Sequence, residues 1–160
     1  MMIRVNSITV NLTDGFIRKI SKFEQNTGEF EKGGILLGKH ILDSNYYEIV
    51  ECTLPTTADE CGRDFFIRNK EAAQLVINNL WDSSEGTINY LGEWHTHACV
   101  YPDPSVADKH LMKSIVYNGS NIWGDVFMLI LGQRSTFYLG VATNENKGEL
   151  VELVCKGGLY

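Results

Sequence analysis

One segment constrains this chain more than any other: Gly92-Glu93-Trp94-His95-Thr96-His97-Ala98-Cys99-Val100-Tyr101-Pro102-Asp103-Pro104-Ser105-Val106-Ala107-Asp108. His95 and His97 are two apart, and on a strand such residues point to the same side. Both imidazoles then face one volume. Ser105 and Asp108 are three apart and follow a proline-containing turn. In the first turn of a helix, residues at that spacing are neighbours, so both can point back at the same spot. The segment therefore asks for a strand that runs through a turn into a helix. Two imidazoles and a carboxylate leave a fourth tetrahedral position for water, the layout of a catalytic zinc site. Taken alone, Ser105 and Asp108 read as a helix cap in which hydroxyl and acid serve orphan amides, and an isolated H-x-H is a weak signal. Their conjunction is what carries the metal reading.

A water held at such a centre needs a base to take its proton and pass it on. Upstream, Phe30-Glu31-Lys32-Gly33-Gly34-Ile35-Leu36-Leu37-Gly38 puts Glu31 at the mouth of a short apolar strand. Gly33 and Gly34 behind it allow close backbone approach or an unusual dihedral. Glu29 is the rival for the same role, and a solvated turn acid is the ordinary alternative for Glu31.

These residues resemble a known family. E-x-x-G followed by two hydrophobic residues, one further residue and Gly, then H-x-H-x(7)-S-x(2)-D, is the signature of the JAMM (JAB1/MPN/Mov34) metalloproteases. Glu31 to Gly38 and His95 to Asp108 match it. The resemblance implies one zinc ion per chain held by His95, His97 and Asp108. It implies Glu31 as general acid/base and Ser105 as the hydroxyl facing the developing oxyanion. It also implies an isopeptidase or endopeptidase that cleaves after the C-terminal glycine region of a ubiquitin-like modifier or its conjugate. Within the family, Gly92-Glu93-Trp94-His95-Thr96-His97 and the Tyr101-Pro102-Asp103-Pro104-Ser105 turn resemble bacterial stand-alone JAB peptidases. These include the deconjugating enzymes that accompany ubiquitin-conjugation-like enzymes in CBASS anti-phage operons. One departure stands out: the family usually has proline after the second histidine, where this chain has Ala98. That bears on the stiffness of the loop and leaves the chemical groups intact.

Periodicity supplies the elements. Ile3, Val5, Ile8, Val10 and Leu12 alternate with a slip at Asn6-Ser7, which reads as one strand with a bulge. Thr13 caps a helix with Phe16, Ile17, Ile20 and Phe23 on one face. Residues 33–40 and 46–53 read as a hairpin, and 54–68 as loop. Asn69 caps a second helix carrying Ala72, Ala73, Val76, Ile77 and Leu80. A strand over 89–96 delivers the histidines, and a helix over 105–117 buries Leu111, Met112 and Ile115. Strands follow at 124–131, 136–142 and 149–155. The order β-α-β-β-α-β-α-β-β-β predicts an α/β fold of α+β type, a curved mixed sheet or half-barrel flanked by helices. Residues 1–160 read as a single domain, a JAB/MPN-like one by the resemblance.

The chain has 14 basic and 20 acidic residues, net −6, and no basic run, a poor match for nucleic acid. Its longest purely apolar run, 126–131, is far too short to span a bilayer. The N-terminus lacks the apolar core of a secretion signal. Cys52, Cys61, Cys99 and Cys155 contain no C-x-x-C pair and read as reduced cytoplasmic thiols. Cys99, two residues past a proposed ligand, reads as a buried filler before an extra ligand or redox brake. In the 54–68 loop, Phe65 or Phe66 pins the segment to the core, and Arg63 and Arg68 are open surface candidates for gripping an extended peptide. Glu93 is a candidate support for the ligands, and Trp94 a buried strand position. His40 and His110 read as structural or solvated, and Gly157-Gly158 as a frayed end. Two other functions fit the same sequence: a scaffold module that binds without catalysis, and a zinc hydrolase of a small amide.

Overall fold

The N-terminal alternation makes two strands, not one. In the computed structural model, which describes residues 1–119 and 124–159 without the side chains of Cys155 and Lys156, β1 (Met2–Val5) pairs antiparallel with β2 (Ile8–Leu12). The slip read as a bulge is the hairpin turn itself. Asn6 adopts φ 53° there, a left-handed conformation that asparagine tolerates better than most residues. Thr13 caps α1 (Asp14–Ile20) by accepting the Phe16 amide, and Phe16, Ile17 and Ile20 are buried. Phe23 follows in a single 3-10 turn (Ser21–Phe23) and meets Trp94 edge-on.

β3 (Gly33–Ile41) and β4 (Tyr46–Cys52) form the expected hairpin. The segment read as loop contains a small hairpin of its own, β5 (Glu60–Cys61) against β6 (Phe66–Ile67). Asn69 accepts the Ala72 amide and caps α2 (Lys70–Ser83). Then come β7 (Asn89–Thr96), α3 (Val106–Tyr117), β8 (Val126–Leu131), β9 (Thr136–Ala142) and β10 (Val151–Gly158).

Among the described residues, eight strands join in one mixed sheet, ordered β1-β2-β4-β3-β7-β8-β9-β10. The pairs β2–β4 and β7–β8 are parallel and the others antiparallel. β1 and β10, the two ends of the order, lie against each other, so the sheet curls nearly into a barrel. The expected curved mixed sheet of an α+β domain is what forms. Val10, Leu12, Phe16, Leu36, Ile49, Leu91, Trp94 and Phe127 belong to one core cluster. On the other face Ile35, Leu37, Met128 and Ile130 pack with Ala73 of α2 and with Met112, Ile115 and Val116 of α3.

Two further expectations are corrected. Leu111 is 42% exposed and lines a groove, while Val116 takes the core position one turn on from Met112. The Gly157-Gly158 segment is not frayed: Gly157 and Gly158 pair with Phe137 and Thr136, and Leu159 is buried in the core. Apolar Leu159 anchors the strand that the two glycines continue.

β7 sits between β3 and β8 and carries a bulge at Leu91, since Leu36 faces Gly92 while Leu37 faces Tyr90. The extra residue shifts the strand's parity. Leu91 and Trp94 then enter one core, while Tyr90 packs in the other, beside Glu93 and His95. A side chain at Gly92 would collide with the Phe127 carbonyl of β8, so the bulge needs glycine there.

Candidate metal centre and active site

His95 lies near the end of β7 and His97 just beyond it, where the His97 amide donates to the Leu131 carbonyl at 2.9 Å. Residues 98–104 return the chain to α3. The turn after β8 holds that loop: the Gln133 amide donates to the Cys99 carbonyl at 2.8 Å, and the Thr136 hydroxyl donates to the Val100 carbonyl. Ala98 in place of proline therefore leaves the loop fastened by other means. Ser105 then caps α3 in a full capping box. Its hydroxyl accepts the Asp108 amide at 3.2 Å, and its own amide donates to the Asp108 carboxylate at 2.7 Å. The cap is present, and it leaves Asp108 within the donor cluster. The cap fixes the Asp108 carboxylate and turns it toward β7.

The three donors converge. His95 Nε2 lies 3.1 Å from His97 Nε2 and 3.4 Å from Asp108 Oδ1, and His97 Nε2 lies 3.8 Å from Asp108 Oδ2. All three ligand atoms fall within 4.8 Å of one another. Two nitrogens bound to one tetrahedral zinc at its usual bond length stand roughly 3.3 Å apart, so the pair already has that spacing. Burial, then repulsion from His95, lowers the His97 pKa to about 4, which leaves a neutral imidazole, the form that ligates metal. Burial works to raise the Asp108 carboxyl. Hydrogen bonds from His95 and Ser105 outweigh it and hold the group well below the usual carboxylate range. A nitrogen pair at this distance beside an ionised carboxylate suits a divalent cation.

Glu31 is 7% exposed, and its carboxylate lies 3.9 Å from His97 Nε2. Burial raises its pKa to about 7, into the range suited to proton transfer near neutrality. Its amide donates to the Gly62 carbonyl at 2.7 Å. Glu29 lies outside this cluster. Its exposed carboxylate bonds Asn26 and Lys32, and those bonds lower its pKa to about 2. Gly33 and Gly34 serve close approach, as expected. A Cβ on Gly33 would strike the Phe66 ring and the Trp94 carbonyl, and one on Gly34 would strike Thr53 and the Trp94 indole.

These groups open into a groove of about 320 Å³, lined by Glu31, His95, His97, Ser105 and Asp108 together with Phe65, Ile67 and Leu111. A larger cavity, about 460 Å³, lies along α2 and shares Arg68 with it, but it lacks the donor cluster. The 60–67 hairpin forms one wall of the groove. Phe66 is the pinning aromatic, set over Gly33, whereas Phe65 is 46% exposed. Arg63 is exposed, as expected of a surface candidate.

Arg68 is not an open surface residue. It grips Glu93 with Nε at 2.9 Å and Nη2 at 2.9 Å, and the Tyr90 hydroxyl donates to the same carboxylate at 2.8 Å. Glu93, two residues before His95, thus supports the ligand strand from below. The pairing crosses 25 positions, and only the acid's place on the histidine face hints at it in the sequence. Gln25, fully buried beneath the Glu31 segment, gave no sequence signal. His40 stacks on Tyr47, and His110 is exposed on α3. Trp94 is buried, its indole donating to the Thr53 carbonyl at 3.0 Å. Cys52, Cys61 and Cys99 are unpaired thiols, while the Cys155 side chain lies outside the described residues. Cys99 is exposed, so it is no buried filler, and the donor cluster does not include it.

Fold and site together define a class: an α+β domain whose curled sheet carries a three-donor candidate metal centre beside a buried glutamate. The chain belongs to the JAB-domain family. The model of prokaryotic homologs of the JAB domain matches residues 13–147. Curated relatives share the name CD-NTase/cGAS isopeptidase. One from Enterobacter hormaechei is 31% identical over 124 residues, 78% of this chain and 67% of the relative. One from Vibrio cholerae is 30% identical over 72% of this chain and 69% of the relative. One from Pseudomonas aeruginosa is 35% identical over 54% of this chain, and there the match spans only 53% of the relative's length. The solution structure of protein DSY2949 from Desulfitobacterium hafniense shares the fold, with a TM-score of 0.61 and 16% identity, covering 89% of this chain and 88% of that one. The resemblance read from the motifs, to the family and to its bacterial peptidases, is thereby met.

Proposed function

We propose that this chain is a zinc-dependent isopeptidase that cuts after the C-terminal glycines of a ubiquitin-like modifier. The cargo released would be a CD-NTase/cGAS-type enzyme, the protein class in the relatives' name. That assignment sets the chain beside ubiquitin-conjugation-like enzymes in CBASS anti-phage signalling, as their deconjugating partner in the cytoplasm. Among the described residues no helix is long and apolar enough to cross a membrane.

The observation that carries the reading is the convergence of His95, His97 and Asp108 with Glu31 beside them. His95, His97 and Asp108 would hold one zinc ion. When bound, it supplies Lewis acidity to the scissile carbonyl and to a water. Glu31, with its carboxyl raised to about 7, takes the proton of the attacking water and delivers it to the leaving amine. Ser105 accepts at oxygen within its cap, and its O–H is the donor for the developing oxyanion. The substrate tail lies extended along the groove, paired as an added strand near the 60–67 hairpin.

Glu31→Gln tests the assignment. It keeps the shape and removes the base. Zinc content equal to wild type, with turnover of a modifier–cargo fusion lowered at least about 100-fold, is expected. Normal turnover in this variant would remove Glu31 from the chemistry.

A further inference from the structure

Among the described residues, the proposed chemistry leaves two wholly buried polar side chains without a role, Gln25 and its partner Thr96. Gln25 is 0% exposed, and its carboxamide is committed in a fixed sense. Nε2 donates to the Glu29 carbonyl at 2.9 Å and the Arg63 carbonyl at 3.2 Å. Oε1 accepts the Thr96 hydroxyl at 3.0 Å. Thr96 Oγ1 in turn accepts the Lys32 amide at 3.0 Å, and the Thr96 amide donates to the Lys32 carbonyl at 2.9 Å. The Gln25 carbonyl is held from behind by Gln133 Nε2 at 3.2 Å. Flipping the amide would turn its oxygen onto two carbonyls, so only one orientation satisfies all partners.

These partners are not a random sample of the core. Glu29 and Lys32 bracket Glu31. Thr96 lies between the two imidazole donors. Arg63 belongs to the turn of the hairpin that walls the groove, next to Gly62, whose carbonyl takes the Glu31 amide at 2.7 Å. Three segments, brought together from 64 positions apart for Lys32 and Thr96 and 38 for Gln25 and Arg63, meet on one carboxamide. Buried networks of this kind hold geometry only while every member is satisfied.

We infer that Gln25 is a positioning residue: its carboxamide ties residues 29–32, Thr96 and the groove hairpin together and so sets the Glu31 carboxyl against the imidazole pair. The inference rests on the peptidase reading above. The donors have holds of their own besides Thr96: β7 pairing with β3 and β8 for His95, the bond to the Leu131 carbonyl for His97, and the α3 cap for Asp108. Losing the Gln25 network therefore moves the base and spares the metal.

The experiment compares Gln25→Met, similar in length but without hydrogen bonds, with Gln25→Asn, which keeps the amide one carbon shorter in case the methionine variant does not fold. Leu153→Ala on β10, buried and three strands along the sheet from β7, controls for simple destabilisation. Metal per chain, melting temperature, kcat and KM on a modifier–cargo fusion, and amide hydrogen exchange are measured on each. Misplacing a reacting group by about 1 Å lowers rate about 100-fold. A loss of that order in kcat with KM unchanged is expected, with metal retained and little further loss when Gln25→Met is added to Glu31→Gln. Amide exchange should rise at Glu31 and Lys32 but not at His97. Leu153→Ala should melt lower with wild-type kcat. A loss that tracks melting temperature as in Leu153→Ala, one carried by KM, or one that multiplies with Glu31→Gln would overturn the assignment. A wild type that cleaves no modifier fusion would sink the peptidase reading instead, and exchange at Glu31 and Lys32 would then decide the role of Gln25.

Discussion

Ser105 has an observed role as a cap and a proposed one in the chemistry, and the two have different sizes. As a cap of α3 it satisfies the Asp108 amide, and its loss in Ser105→Ala should lower stability by about 1 kcal/mol. As the proposed oxyanion donor its loss should lower kcat about 100-fold or more, the usual cost of removing one such donor. Urea denaturation and kinetics on the same variant separate them. A stability loss of that size with near-normal kcat would leave only the cap. Arg68 makes a second prediction at this scale. Glu93 is 8% exposed in its side chain and pairs with the guanidinium. Arg68→Ala would strand a buried carboxylate with only the Tyr90 hydroxyl as partner, and removing one member of such a pair costs about 3 kcal/mol. An unchanged denaturation midpoint would show the pair to be dispensable.

At the scale of elements, β7 is the part that sequence spacing describes best and explains least. The two-residue spacing of His95 and His97, the Asn69 and Ser105 caps and the hairpin of residues 33–52 were legible because each rests on neighbours within a few positions. The bulge at Leu91 was not legible, because it is set by pairing with β3 and by the closeness of β8 at Gly92. Gly92→Ala should therefore unfold the sheet at its centre, seen as loss of soluble folded protein or a steep fall in melting temperature. Gly15→Ala in α1, where an added methyl meets nothing within 4 Å, should instead stabilise by about 0.5–1 kcal/mol. Equal effects from the two would refute the close-approach argument. The hairpin at Asn6-Ser7 reads as a bulge for a related reason. Alternation survives both a bulge and a two-residue turn, and only pairing distinguishes them.

For the whole molecule, the candidate donor set was visible early because its three residues lie in one short stretch. The frame that orients them was not. Glu31 was found by its place before Gly33-Gly34, but what fixes it comes from Gln25, Gly62 and Thr96, contacts no local pattern announces. The Arg68–Glu93 pair and the ordered hairpin at 60–67 were hidden likewise, since an arginine in a polar segment reads as exposed until its partner is found. The metal centre remains the claim on which the rest of the account stands. A cation that binds only the folded chain stabilises it by mass action, so its presence is also a property of the whole fold. The most direct test is zinc per chain in purified wild type and in Asp108→Ala, after metal is added back and excess removed. About one zinc in the wild type, falling sharply in the variant while both remain folded, is the predicted result. A folded wild type that retains no metal would contradict the account.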